Sequence, residues 1–78
     1  LDTYGWVLYV NKEYKEAEVY LGKAAKNTNN GTILEHYGDV LYQLGRIDQA
    51  IEYWKKAEVA GDASELLAKK LKDKKLYE

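Results

Sequence analysis

Between Leu34 and Ala57 the apolar positions recur every three or four residues, in two runs that meet at Gly45. In the first run Tyr37 and Leu41 flank Gly38; in the second Ile47, Ile51 and Trp54 surround Ala50 and Ala57. That spacing places the apolar residues on one face, so each run predicts an amphipathic helix. Gly38 precedes Gly45 by seven residues, and Ala50 precedes Ala57 by the same interval. A residue with no side chain, or a single methyl, lets two helix backbones approach closely. The runs therefore predict an antiparallel hairpin that turns at Gly45 and packs at its small residues.

The pattern recurs 33 positions earlier. Tyr4-Gly5 fall under Tyr37-Gly38, Val7-Leu8 under Val40-Leu41, and Tyr9 under Tyr42; Tyr14, Ala17, Leu21 and Ala24 fall under Ile47, Ala50, Trp54 and Ala57. A first hairpin follows, with helices over about 1–10 and 13–26 and with Tyr14, Ala17, Leu21 and Ala24 facing inward. Its turn carries Lys12 where the second has Gly45, so the expectation is that Asn11 supplies the left-handed conformation. Gly22 lies inside the second helix, where glycine costs about 1 kcal/mol relative to alanine.

Asn27 to Gly31 reads as a loop. Thr32 with Glu35 has capping-box spacing at the start of a third helix that runs to Leu44; the fourth covers about Ile47 to Ala60 and stops at Gly61. Asp62 with Glu65 repeats the capping-box spacing ahead of a fifth helix over about Ala63 to Leu76. Ala63, Leu66, Leu67 and Leu71 form its inward face, and Lys69, Lys70, Lys72, Asp73, Lys74 and Lys75 a solvated one. Lys72 stands where the repeat would require a glycine, which suits a terminal helix on which nothing further packs.

A helix-turn-helix unit of this length, with small residues at its crossing points, resembles the tetratricopeptide repeat (TPR), whose unit is about 34 residues. The resemblance covers nearly the whole chain. It departs in the turn at Lys12 and in the absence of proline, with Asn29 and Asp62 where the family often has one. It implies an all-α fold: two TPR hairpins and a C-terminal capping helix, a fragment of a right-handed α-solenoid. The single domain would comprise a first repeat over about 1–30 that begins partway into its first helix, a second over about 31–61, and a cap over about 62–78. The chain starts at Leu1 and contains no Met, so the natural N-terminus is expected to lie upstream; LDTYGWVLY followed by LEHYGDVLYQLG looks like the last repeats of larger bacterial TPR proteins.

Composition narrows the function. The chain has 78 residues, close to the lower limit for a self-sufficient core. Lys plus Arg number 12 against 13 Asp plus Glu, a net charge of −1, so no overall field draws nucleic acid to it. No run approaches the roughly 20 apolar residues that span a bilayer, so direct membrane insertion is not expected. There is no cysteine, one histidine (His36) and one serine (Ser64), so neither a Ser-His-acid nor a Cys-His arrangement can be assembled. Glu35 and Asp39, four residues apart, are read as a solvated acidic face, and no metal, cofactor or catalytic activity is expected.

In TPR arrays the first helices of successive repeats line a concave groove that holds a peptide or a partner helix. Carried over by position, the resemblance puts Asp2, Trp6, Tyr9 and Val10 on that groove from the first repeat, and Glu35, Asp39, Tyr42 and Gln43 from the second. Aromatic residues beside carboxylates suit an apolar segment with a basic end. They do not suit a C-terminal carboxylate, so the carboxylate-gripping chaperone-adaptor subtype is set aside. Trp6 and Tyr42 have a second reading, as wedges between neighbouring first helices. The expected function is a protein-interaction scaffold; the alternative is an end-module that terminates a longer solenoid. At the N-terminal end Leu1, Tyr4 and Val7 lack the neighbouring helix that a repeat array supplies, so self-association is expected there. The compartment stays open between a bacterial cell envelope, as periplasmic or lipoprotein-anchored, and the cytoplasm.

Overall fold

A computed structural model describes residues 2–74, with side chains from Gly5 onward. Among these residues there are five helices and no strand: α1 (Asp2–Val10), α2 (Tyr14–Lys26), α3 (Gly31–Gln43), α4 (Ile47–Ala60) and α5 (Leu67–Asp73). The first two pack as one hairpin and the next two as another; α2 lies against α3, and α5 against α4. The protein is all-α, with the repeat-like arrangement that the 33-residue shift predicts.

The shift holds at the level of single hydrogen bonds. After α1, the Lys12 N–H donates to Tyr9 O (2.9 Å) and the Glu13 N–H to Leu8 O (2.8 Å); after α3, Gly45 donates to Tyr42 O (3.0 Å) and Arg46 to Leu41 O (2.9 Å). Both turns are Schellman closures, which need a left-handed residue just past the helix. Gly45 takes that conformation at φ +83°, and its counterpart is Lys12 at φ +63°, not the expected Asn11. The hydrogen bonds of the turn fix which residue must be left-handed, and Lys12 occupies that position.

Close packing follows the small residues. A Cβ added to Gly38 would lie 2.5 Å from Trp54 Cδ1 and 3.1 Å from the Ala50 carbonyl oxygen; one added to Gly5 would lie 2.7 Å from Leu21 Cγ. Gly22 is the crossing point between hairpins, where an added Cβ would lie 3.2 Å from the Tyr37 ring. One cluster joins Leu8, Tyr9, Ala17 and Leu21 to Val40, so Val40 is buried by the preceding hairpin. The other joins Ala25, Leu34, Leu41, Ala50, Trp54 and Ala57 to Leu67. In α2 the buried alanine near the C-terminus is Ala25, not Ala24, which is half-buried. Ala25 faces the second hairpin. Leu34, which packs in the cluster that buries Ala57, has Leu1 as its counterpart, outside the described residues.

The C-terminal part departs most from expectation. α5 begins at Leu67, not Ala63, and neither capping box forms. Asn30 caps α3 by accepting from the Ile33 N–H (3.2 Å), and Asp62 reaches back to accept from the Gly31 N–H (2.5 Å). With Asp62 and Glu35 committed elsewhere, residues 62–66 form turns instead of helix. Leu67 and Lys70 are buried and Leu71 half-buried, whereas Leu66, expected inside, is 41% exposed. Lys70 therefore belongs to the inward face, three residues from Leu67. Under the 33-residue shift Leu71, not Lys72, follows Gly5 and Gly38, and Lys72 is exposed. Leu76 and Lys75 lie outside the described residues.

Candidate functional site

Helices α1 and α3 and the segment that leads into α5 border one cleft of about 580 Å³. Trp6, Tyr9 and Val10 line it from α1; Thr32, Glu35, His36 and Asp39 from α3; and Ala63, Ser64, Leu66 and Lys70 from the segment ending in α5. Lys12 edges it from the first turn, Tyr14 from the start of α2, and Asp62 from the segment after α4. The Trp6 ring stacks on His36, with centroids 4.0 Å apart, and on Tyr9 at 4.8 Å. That stack ties α1 to α3 and gives the cleft an aromatic wall.

Opposite this wall lies a buried ionic centre. Lys70 Nζ donates to Glu35 Oε2 (2.7 Å) and to Asp39 Oδ1 (2.8 Å), and all three side chains are almost fully enclosed. Ser64 donates to Glu35 through both its backbone N–H (2.8 Å) and its hydroxyl (2.5 Å). The Trp54 indole N–H, from the centre of the second hairpin, donates to Asp39 Oδ1 (3.0 Å). Glu35 and Asp39 are not the solvated acidic face expected of them. Spaced four apart on α3, they receive a lysine and a serine from the C-terminal segment, and the apolar packing of Leu67 brings that lysine in.

The two carboxyls titrate in opposite senses. Burial raises Glu35, but hydrogen bonds from Lys70 and Ser64 outweigh it and hold the group below the ordinary carboxylate value. Burial pushes Asp39 up to about 7, because it outweighs the pull of Lys70 and is reinforced by the neighbouring Glu35. One ammonium neutralises one of two buried carboxylates, and the proton goes to the less well-bonded one.

Of the residues placed on the groove by position, Trp6, Tyr9, Val10, Glu35 and Asp39 line the cleft. Tyr9 is buried and Val10 is 60% exposed. Tyr42 instead stacks near Trp54 (5.8 Å) of its own hairpin in the second core, a contact with the second helix and not between neighbouring first helices. Gln43 is exposed and away from the cleft, and the side chain of Asp2 lies outside those described. Sequence reasoning missed His36, Lys70, Ser64 and Leu66. The signal for Lys70 was its three-residue spacing from Leu67, which puts it within an apolar stripe. The chain matches no protein-family model, no curated protein and no solved structure.

Proposed function

We propose that the chain is an interaction module of the tetratricopeptide kind, which binds an apolar peptide segment in the cleft and carries out no chemistry there. The observation that carries this reading is that the cleft is walled by α1 and α3, the first helices of the two hairpins, and closed by the segment leading into α5 with Lys70. The repeated Schellman turns and the Gly5–Leu21 and Gly38–Trp54 contacts support the same kinship. The aromatic stack, Val10 and Leu66 supply apolar surface, which is what peptide clefts use for affinity. Glu35 is already fully engaged by Lys70 and Ser64, so the charge offered to a ligand comes chiefly from Asp39.

Selection of peptides from a displayed random library tests the proposal. The unaltered chain should enrich a consensus, and both Val10→Asp and Leu66→Asp should lose it while keeping their helical circular dichroism. Enrichment that survives both variants would place binding elsewhere. A second reading is an end-module without a ligand of its own. It is favoured by α5, whose Leu67 and Lys70 turn inward while Lys69 and Lys72 are exposed. Failure to enrich any consensus would favour it.

A further inference from the structure

The ionic centre brings two carboxyl groups to one ammonium. Lys70 contacts both Glu35 and Asp39. Around Asp39, α3 contributes Glu35 and His36, α4 the neutral indole of Trp54, and α5 the ammonium of Lys70. Asp62 in the last turn caps Gly31, and Lys12 is exposed at the cleft edge. Both hydrogen bonds to Asp39 land on Oδ1, and among the described residues Oδ2 accepts none. Nor is Oδ2 sealed from the surface, and Asp39 lines the cleft. A buried charge is costly unless it is paired, so this oxygen is open to a further partner from the cleft.

We propose that Asp39 Oδ2 receives the cationic end of a lysine or arginine side chain from a bound peptide, the stem of that side chain lying against Trp6, Val10 and Leu66. This rests on the reading of the cleft as a peptide groove. A long cationic side chain suits the site because its methylene stem packs on apolar surface while its head reaches the carboxylate. Charge complementarity selects this occupant over an anionic or purely apolar one. Without a ligand a proton neutralises Asp39, so ligand cation and proton compete for one oxygen. Affinity for a cation should therefore rise with pH.

Two small probes of the same shape separate charge from apolar contact: phenethylammonium and phenethyl alcohol. Each is titrated into the full chain at about pH 5 and about pH 8, reading the NMR shift of the Trp6 indole N–H. The cation should bind on the order of tenfold tighter at the higher pH, and the alcohol equally at both. Asp39→Asn should remove the larger part of that slope. Glu35→Gln, which removes the other carboxylate, should keep the preference for the cation if it folds. Equal binding of both probes, or a full pH slope in Asp39→Asn, overturns the cation seat while leaving the groove intact. Binding of neither probe overturns the groove itself.

Discussion

The indole of Trp54 occupies the space that Gly38 leaves open, and its N–H reaches past that glycine to Asp39 Oδ1 at 3.0 Å. One missing side chain thus serves both the apolar core and the ionic centre. Gly38→Ala should cost about 1–3 kcal/mol, because the new methyl meets a rigid ring and a backbone carbonyl. Gly5→Ala should cost less, since the obstacle there is the side chain of Leu21 alone, with no backbone atom in the way. Urea unfolding of the two variants gives the ranking; the reverse order would show that the repeats pack differently.

The turns make a paired prediction. Lys12 at φ +63° bears a strain that Gly45 avoids. Lys12→Gly should therefore stabilise the chain by about 0.5–1 kcal/mol, and Gly45→Lys should destabilise it by a similar amount. Thermal melts read both, and a loss on Lys12→Gly would contradict the assignment of the left-handed residue.

Stability should pass through a maximum near pH 4. Asp39 is raised in the folded state, so the stability it contributes is complete below its unfolded value and is lost as the pH climbs through about 7. Glu35 is lowered, so its contribution is complete above its unfolded value and is lost as the pH falls through the folded one. Asp39→Asn should flatten the decline on the alkaline side, which amounts to a few kcal/mol on the order of the shift. Denaturant midpoints measured across the range test this, and an unchanged decline would assign it to another group.

Removing the ammonium should be worse than removing either anion. Lys70→Met leaves two carboxylates in a space that holds one, at a cost of about 3–5 kcal/mol. The triple change Glu35→Gln, Asp39→Asn, Lys70→Met should recover much of that loss. Failure to recover would mean that Lys70 matters for its packing and not for its charge.

The open end gives a fifth test. Val40 is fully buried by the preceding hairpin, while its counterpart Val7 is 47% exposed. Light scattering at high concentration should show association, reduced by Val7→Lys. A monomer at all concentrations would count against it. The partners proposed for this surface, Tyr4 and Leu1, lie outside the described side chains.

The hairpins were legible because a helical face is written in the spacing of its apolar residues and every crossing needs a small one. Gly5, Gly38, Ala17 and Ala50 carry that information without ambiguity. The ionic centre was harder to read because Glu35, Asp39 and Lys70 are ordinary surface residues until something encloses them. What encloses them is long-range: Ser64 and Lys70 stand 29 and 35 residues from Glu35. The Leu67–Lys70 spacing announces an inward lysine, but no local pattern names its partners. The fifth helix was overextended for the same reason, since Asp62 caps a helix 31 residues away and not its own.

The dependence of the second hairpin on Lys70 sets a lower bound on what can be cut out and still fold. α5 is a seven-residue helix, too short to persist unaided, and it is anchored by Leu67 and by a lysine paired with both carboxyls of the hairpin. A fragment ending at Gly61 would present Glu35 and Asp39 to water with the Trp54 indole behind them. Copying residues 31–63 to lengthen the array would repeat that fault in every added unit except the last. Shuffled or lengthened descendants of this chain would need to neutralise both carboxylates in each inner unit, or keep the C-terminal segment as the one part that cannot be moved.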